Sequence, residues 1–239
     1  MKANQLLSEV VAELKKAGNP TIKKTLMRHG AREPFFGVKV EDLKKIQKRV
    51  KTNQELALAL YDTGISDAMY LAGLIADDAQ MSKKDLQHWV DGAYWYMLSE
   101  YTVAWVAAGS RHGREMARKW IKSRKEHVAA AGWATWSNLV SITEDDALDL
   151  TELRQLLLQV QDTIHDQPNR VRHTMNGFII AVGGYVRALT SMAEEVAARI
   201  GKVTVDMGDT ACKVPDAATY IQKMKSRGTL GKKRKSAKC

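Results

Sequence analysis

Apolar residues recur along most of the chain at separations of three and four positions, the spacing of an amphipathic α-helix. The clearest stripe runs from Leu153 to Ile164, where successive apolar side chains are three, one, three and four positions apart. Comparable stripes occur at Leu6–Leu14, Leu56–Tyr61, Met69–Leu74, Leu86–Val90 and Met175–Val182. The pattern predicts about a dozen helices of roughly 10 to 18 residues each.

Turn-forming and capping residues mark the expected helix ends. Gly18–Pro20 ends the first stripe, and Pro168–Asn169 opens a later helix. Ser82–Asp85 has the composition of a capping box, and Ser66 is the predicted cap of the helix that contains Met69. These signals divide the chain into short helices joined by polar turns.

A succession of helices without strand-like alternation predicts an all-α fold, built as an α-solenoid of stacked antiparallel helical pairs. We expect one helical domain over residues 1–222. Within it, residues 202–215 are β-branched, glycine-containing and rich in turn formers, which predicts an ordered non-helical loop. A last helix is expected from about 216 to 227. The basic C-terminal tail, residues 223–239, begins within this helix and continues beyond it.

The composition excludes several classes of protein. No apolar run approaches the roughly 20 residues of a membrane helix, and the first residues do not resemble a signal peptide. The two cysteines, Cys212 and Cys239, cannot form a disulfide framework, so we expect a cytoplasmic protein. The six histidines show no metal-ligand spacing and no dinucleotide or P-loop fingerprint occurs. We therefore predict no metal and no cofactor.

The net charge of +10 is distributed unevenly. The tail contains eight basic residues and no acid, which leaves +2 for the rest of the chain. Within that rest, residues 15–51 carry +9 and residues 111–127 carry +5, whereas residues 52–110 and 128–167 carry −6 each. Such segregation predicts a continuous basic surface for a polyphosphate such as double-stranded DNA, with the acidic segments facing away. Solvated helix faces are the alternative explanation.

The segment Phe35–Val50 combines a turn and a basic helix. An aromatic pair and Gly37 precede a helix whose apolar positions share one face, while lysines occupy the other face. The predicted DNA-binding lysines of this segment are Lys39, Lys44, Lys45 and Lys48.

Three segments resemble a known family. Phe36–Leu43 is similar to a conserved turn and helix of the DNA alkylation repair family, the AlkC/AlkD type of bacterial alkylpurine DNA glycosylases. Trp95–Glu100 resembles its Trp-Trp-Asp-x-x-Asp segment, and Trp120–Ser123 resembles a later Trp-x-x-Ser. The resemblance extends over about residues 1–200 and rests on the order and spacing of the segments. It implies HEAT-like helical pairs with DNA in the concave groove.

The same resemblance implies an activity, hydrolysis of the N-glycosidic bond of purines alkylated at N3 or N7. Such a base is already cationic, so the enzyme has to stabilise the developing sugar cation and position a water. By resemblance, Glu100 is the carboxylate beside the sugar, and Tyr96 and Trp95 shape the site. Tyr96 and Glu100 are four residues apart, one turn of an α-helix. On residue type alone, Glu100 is also explained as a solvated or capping acid.

Several family residues are replaced in this chain. The catalytic aspartate is Glu100, and the aromatic residue before it is Tyr96 rather than tryptophan. The arginine expected after Trp120 falls on Ala130, the tryptophan ahead of it falls on His127, and another tryptophan falls near Gly177–Phe178. A phosphate anchor and part of the aromatic site are therefore missing from their usual positions.

Other basic residues are candidates for the missing phosphate contacts. Arg170 and Arg172 stand at a helix start, where either phosphate binding or pairing with Asp162 and Asp166 would explain them. Arg124 is a further candidate. In the tail, which we expect to be disordered without DNA, the candidates are Lys232, Lys233 and Arg234.

Two further motifs have open explanations. Trp133 and Trp136 share one helix face and either pack against a neighbouring helix or form a stacking platform. Cys212, followed by Lys213, belongs either to a structural loop or to a second polar site.

Three functions follow from these observations. The first is DNA alkylation repair by excision of cationic alkylated purines. The second is a catalytically degenerate relative that binds branched or distorted DNA, which the loss at Ala130 favours. The third is a protein–protein scaffold, because α-solenoids also bind peptides in their grooves. We expect a monomer in each case.

Overall fold

A computed structural model describes residues 2–238, and their side chains from Asn4 onward; Met1 and Cys239 lie outside the described residues. The α-helices of that range, in chain order, are α1 Lys2–Ala17, α2 Pro20–Arg28, α3 Val40–Val50, α4 Gln54–Asp62, α5 Ser66–Ile75, α6 Lys83–Gly92, α7 Ala104–Gly109, α8 Gly113–Trp120, α9 Glu126–Ile142, α10 Leu150–Thr163, α11 Asn169–Tyr185, α12 Thr190–Ile200 and α13 Ala217–Ser226. A π-helix, Met97–Val103, precedes α7. Residues 2–238 contain no strand, which confirms the all-α prediction.

The helices stack so that three of them form the centre of the molecule. All ten residues of α5 are buried, and α9 and α11 are buried on most of their surface. α9 packs between α8 and α11, and α11 also contacts α12 and α13. The solenoid therefore has a continuous apolar interior, which explains why these central helices have little amphipathic character.

Most of the predicted helix ends are observed. The Asn19 side chain accepts hydrogen bonds from the amides of Thr21 and Ile22, at 2.9 and 3.0 Å, and so caps α2. Ser82 and Asp85 form the predicted reciprocal capping box of α6. The prediction for Ser66 is wrong, because Ile65 is the N-cap of α5. The Ser66 hydroxyl is instead buried inside the molecule.

The turn before α3 is held by a buried carboxylate. Asp67 accepts hydrogen bonds from the amides of Phe36, at 2.6 Å, and Val38, at 2.7 Å. Gly37 between them has φ +79°, and a Cβ there would lie 2.6 Å from the amide nitrogen of Lys23 in α2. Glycine is therefore required at this position, both for its backbone conformation and for the close approach of α2.

The π-helix Met97–Val103 replaces the α-helix expected after Trp95. Its i→i+5 hydrogen bonding brings residues five positions apart above each other, whereas an α-helix aligns residues four apart. Tyr96 and Tyr101 consequently approach to 6.3 Å between ring centroids, at an interplanar angle of 61°. The sequence contains no signal for this widening of the helix.

The segment between α12 and α13 contains no helix or strand, and it is held to α11 by two asparagines. Asn169 Nδ2 donates to the carbonyl of Asp206 at 2.8 Å, and the amide of Asp206 donates to Asn169 Oδ1 at 2.7 Å. Asn176 Nδ2 donates to the carbonyl of Pro215 at 2.9 Å. Val203 and Val205 are buried, so this loop packs on the helices rather than projecting from them.

The C-terminal tail is ordered, and the prediction of a disordered tail is wrong. Lys233 Nζ donates to the carbonyl of Val140 at 2.9 Å, and Lys238 Nζ donates to the carbonyl of Ala76 at 2.7 Å. Ala237 is buried against the body of the protein. The tail thus binds carbonyl groups at the C-terminal ends of α9 and α5, which the negative end of a helix dipole favours.

The predicted separation of basic and acidic surfaces is also wrong in part. Within the basic run 111–127, Arg118 donates to Glu152 at 2.7 Å and Lys125 donates to Asp91 at 3.3 Å. Both partners belong to the acidic segments that were expected to face away. Ion pairs between neighbouring helices therefore neutralise part of this run.

The tryptophan pair Trp133 and Trp136 is fully buried, and Trp133 lies 5.3 Å from Phe178 between ring centroids. This confirms the packing interpretation and leaves no stacking platform there. Among residues 2–238, no helix has the length and apolarity to cross a membrane.

Candidate functional site

The residue predicted as the catalytic acid is bound to an arginine. Arg170 Nε donates to Glu100 Oε1 at 2.7 Å, and a terminal guanidinium nitrogen donates to Glu100 Oε2 at 2.6 Å. The Glu100 side chain is 4% exposed and that of Arg170 is 21% exposed. The pair is thus bidentate and largely buried, the geometry in which a guanidinium binds a carboxylate most strongly.

The π-helix and the start of α11 position the two members of the pair. Glu100 lies on the π-helix, and Arg170 lies in the first turn of α11. The amide of Arg170 donates to Glu126 Oε1 at 2.6 Å, which links the starts of α9 and α11. A carboxylate at a helix N-terminus interacts favourably with the helix dipole, so Glu126 stabilises the position of Arg170.

Tyr96 covers the arginine from one side. The guanidinium carbon of Arg170 lies 4.6 Å from the centroid of the Tyr96 ring, a cation–π contact. Trp95 lies behind Tyr96, at 5.3 Å between ring centroids, and its Nε1 donates to Ser66 Oγ at 2.8 Å. The structure therefore places Tyr96 at the site, whereas Trp95 is part of the core that supports it.

The charges of the pair are set by burial and by mutual hydrogen bonding. Burial raises the pKa of the Glu100 carboxyl, and the hydrogen bonds from Arg170 act in the opposite direction. For Arg170, burial acts to lower the pKa, but the hydrogen bonds and charge of Glu100 outweigh it, so the pKa is raised. Both oxygens of Glu100 accept hydrogen bonds from the guanidinium, which is the geometry of a compensated ion pair.

His173, one turn after Arg170, is neutral. Burial and the charge of Arg170 lower the pKa of His173 to about 4. Its Nδ1 lies 3.5 Å from a guanidinium nitrogen of Arg170. A guanidinium can only donate, so Nδ1 accepts and the proton of the neutral ring is assigned to Nε2.

This arrangement restricts what Glu100 can do. A carboxylate stabilises a developing cation when its charge is uncompensated and its oxygens face the reacting atoms. Both oxygens of Glu100 instead accept hydrogen bonds from Arg170. The predicted catalytic acid thus already has a cationic partner.

A cavity of about 420 Å³ opens above the pair. We call it the tyrosine pocket, because Tyr96 and Tyr101 line it beside Arg170 and His173. Tyr101 is 37% exposed, which is unusual for a large aromatic side chain. Tyr101 was not among the predicted site residues, because only the π-helix brings it next to Tyr96.

The rim of the tyrosine pocket is formed by the end of α2 and by the loop after α12. Arg28 and Lys213 are exposed cations at this rim, and Asp206 and Cys212 are also exposed there. Gly208 at the loop tip approaches α2 so closely that a Cβ would lie 3.3 Å from the carbonyl oxygen of Arg28. The loop and the basic run that contains Arg28 are both distinctive in the sequence, but only the folded structure brings them to the same pocket.

The positions at which the family has an arginine and two tryptophans hold other residues in this chain. Ala130 is completely buried within α9, so a larger side chain would have no room there without movement of its neighbours. His127 is partly buried, and burial lowers its pKa. Gly177 lines a shallow cavity of about 160 Å³ beside Glu100 and Tyr101.

The predicted DNA-binding residues of the N-terminal half are exposed. Lys39 is the N-cap residue of α3, and Lys44, Lys45 and Lys48 project from this helix. Lys39 and Lys45 pair with acids of the same helix, at 3.5 and 2.7 Å. Arg124 is exposed in the turn before α9. All five are accessible to phosphate, since exposed ion pairs are weak.

The predicted phosphate ligands near α11 have different surroundings. Arg170 is bound to Glu100, as described. Arg172 donates to Asn169 Oδ1 at 3.5 Å, and its Nε is buried without a partner among the described residues. Among the described residues, Arg172 forms no ion pair with Asp162 or Asp166.

The tail cations divide into two groups. The Lys233 side chain is 8% exposed and pairs with Asp145 at 2.8 Å, so it is used internally. Lys232 and Arg234 are exposed. Lys232 and Arg234 are therefore accessible to DNA without rearrangement of the tail, whereas Lys233 is not.

No group of three or more His, Cys, Asp or Glu residues with metal-binding geometry occurs within residues 2–238.

Comparison with known proteins places the chain in a family. A family model described as "DNA alkylation repair enzyme" matches residues 10–193. The uncharacterized proteins Lin0241 of Listeria innocua and Lmo0209 of Listeria monocytogenes are each 34% identical over 221 residues, which cover 90% of this chain and 95% of theirs.

A solved structure is similar over almost the whole chain. It has a TM-score of 0.90 and 40% sequence identity, and the match covers 98% of this chain and 99% of that one. It is described as representing a new family of proteins related to the HEAT-like repeat DNA glycosylases, with affinity for branched DNA structures. The HEAT-like solenoid predicted from the sequence is confirmed. This chain belongs to the DNA alkylation repair family.

Proposed function

We propose that this protein binds branched DNA and does not excise alkylated bases. One observation carries the proposal: the carboxylate at the family's catalytic position is bound by both oxygens to Arg170. A glycosylase acting on a cationic purine needs an uncompensated negative charge beside the sugar. Here that charge is already neutralised inside the protein.

The similar solved structure supports the choice of branched DNA as the ligand. Its description gives it affinity for branched DNA structures, and it shares 40% of its sequence with this chain. Exposed cations of this chain would contact the phosphates, among them Lys44 and Lys48 of α3, Arg124, and Arg28 at the pocket rim. Double-stranded arms of the branch would lie along this surface.

Base release and DNA binding together test the proposal. We expect no release of 7-methylguanine from duplex DNA, under conditions where a glycosylase of known activity releases it. We also expect tighter binding to a four-way junction than to a linear duplex of the same sequence, measured at several salt concentrations. For duplex DNA, log K should fall with log salt by about 0.9 for each phosphate contact.

Two results would contradict the proposal. Release of 7-methylguanine by the wild type, lost in Glu100→Gln, would restore the excision activity that the resemblance implied. Equal affinity for the junction and the linear duplex would remove the preference for branched DNA. DNA binding whose affinity does not change with salt concentration would favour the third function, the protein–protein scaffold. The monomeric state and the cytoplasmic location stay predictions.

A further inference from the structure

The tyrosine pocket is a concave cavity, unlike the exposed lysines and arginines that would contact the arms of a branch. Its volume of about 420 Å³ lies within the range of pockets that hold small molecules. Base pairs in a stacked duplex cannot enter such a pocket, whereas a single unpaired nucleotide can. The pocket therefore points to a ligand group that is planar, small and outside the helical stack.

The lining of the pocket has the composition of a nucleobase site. Tyr101 presents a partly exposed ring, and aromatic side chains stack with any nucleobase. Its ring stands edge-on to Tyr96 and to Trp105, at 6.3 and 5.6 Å between centroids, which holds its orientation. His173 adds a neutral hydrogen-bonding group beside these rings.

The charged residues of the pocket favour a neutral base over a cationic alkylated base. The inner part of the pocket is neutral overall, because Glu100 and Arg170 compensate each other. A cationic alkylated base would therefore find no uncompensated carboxylate there. At the rim, the exposed Arg28 and Lys213 outnumber the exposed Asp206. A neutral base with an anionic phosphate matches this distribution.

We propose that the tyrosine pocket binds one unpaired, unmodified nucleotide of the branched DNA, with its base stacked on Tyr101 and its phosphate at the rim formed by Arg28 and Lys213. The inference rests on the proposed function. Bases at a branch point are easier to unstack than those within a duplex, because the energetic cost is lowest for a base that is already unpaired. The pocket thus recognises an unpaired branch point, in addition to the phosphates of the arms.

The test compares two three-way junctions that differ only in two unpaired nucleotides at the branch point. We expect the wild type to bind the junction with unpaired nucleotides about 5- to 150-fold more tightly, the range for stacking of one base. Tyr101→Ala should reduce this ratio to about one, and Tyr101→Phe should keep it, since phenylalanine also stacks. Tyr220→Ala is the matched control, because Tyr220 is an exposed tyrosine of α13 outside the pocket, and its ratio should equal that of the wild type.

A spectroscopic measurement reports on the pocket directly. With 2-aminopurine as one of the unpaired nucleotides, stacking on Tyr101 should lower its fluorescence on binding, in the wild type and in Tyr101→Phe only. If Tyr101→Ala does not fold, Arg28→Gln replaces it. This variant changes an exposed side chain and should reduce both the ratio and, by about 0.7, the single-strand value for one phosphate contact, the salt slope for the junction with unpaired nucleotides.

The outcomes separate this inference from the proposed function. A wild-type ratio of one would overturn the nucleotide pocket and leave branched-DNA binding intact. An unchanged ratio in Tyr101→Ala, or in Arg28→Gln where that variant replaces it, would do the same. Equal affinity for junctions and linear duplex would remove the proposed function itself.

Discussion

At the level of single residues, the central feature is the buried ion pair between Glu100 and Arg170. Removing one partner of such a pair leaves an uncompensated charge in a low-dielectric environment, which is more costly than the pair is stabilising. The charge balance at this site therefore matters for stability as well as for function.

We predict that Arg170→Ala lowers the free energy of unfolding by about 3–5 kcal/mol. The matched control is Arg118→Ala, which breaks the more exposed bidentate pair with Glu152 and should cost at most about 1 kcal/mol. Urea denaturation of the two variants and the wild type measures both values. Equal losses in the two variants would show that the Glu100–Arg170 pair has no special role in stability.

His173 gives the site a predictable response to pH. Its pKa is lowered from 6.5 to about 4, so the unfolded state binds a proton that the folded state does not bind between these values. The neutral His173 side chain makes its full contribution to the free energy of unfolding above about pH 6.5, and this contribution is lost as the pH falls towards 4. The shift corresponds to at most about 3 kcal/mol.

We therefore expect the wild type to lose about 2–3 kcal/mol more than His173→Gln when the pH is lowered from 7.5 to 4.5. Comparing the two proteins cancels the contributions of the other titrating groups. Parallel pH profiles of the unfolding free energy would contradict the burial of a neutral His173.

At the level of helices and turns, the turn at Gly37 joins α2 to α3. Its positive φ and the 2.6 Å approach to Lys23 leave no room for a side chain. Because Arg28 ends α2, a shift of this helix would also change the rim of the tyrosine pocket.

We predict that Gly37→Ala costs clearly more stability than Gly64→Ala. Gly64 also has a positive φ, +68°, but a Cβ there meets no atom within 4 Å. Gly64→Ala should therefore show only the backbone cost of about 1–2 kcal/mol, whereas Gly37→Ala adds the clash with α2. Thermal unfolding of both variants tests this, and equal midpoints would show that α2 moves aside without cost.

At the level of the whole molecule, the ordered tail connects distant parts of the solenoid. Lys233 binds at the end of α9, and Lys238 binds at the end of α5 and pairs with Asp78 at 2.7 Å. A solenoid is held together mainly by contacts between neighbouring repeats, so a segment that spans several repeats adds stability to the whole stack.

We predict that truncation after Arg227 lowers stability by about 2–5 kcal/mol, or the melting temperature by roughly 5–15 °C. The control is the double variant Lys232→Ala/Lys235→Ala, which removes two exposed charges and should melt like the wild type. A truncated protein with unchanged stability would mean that the tail contacts contribute nothing. Any effect of the control on DNA binding should appear in the salt slope.

The features that were predictable from the sequence are those made by residues close together along the chain. Helical stripes, the Asn19 cap and the Ser82 capping box depend on partners two to four positions away, so the all-α fold follows from local pattern. The position of Glu100 and Tyr96 at the site followed from resemblance in one continuous segment. None of these features requires knowledge of which helices become neighbours.

The remaining features depend on which helices pack together. Arg170 lies 70 positions from Glu100, and Lys238 lies 162 positions from Ala76, so no local pattern could pair them. The same applies to the ion pairs between neighbouring helices that neutralise part of the basic run. The π-helix that places Tyr101 beside Tyr96 is a local element, but the sequence pattern has no signal that distinguishes it from an α-helix. A charged side chain interacts with whatever group the folded chain brings within a few ångströms, and burial then sets the strength of that interaction. The helices could therefore be predicted from the sequence. The partner of the catalytic-position carboxylate, and with it the proposed loss of excision, emerged only from the packing of α11 and the π-helix against α9, which brings Arg170 to Glu100.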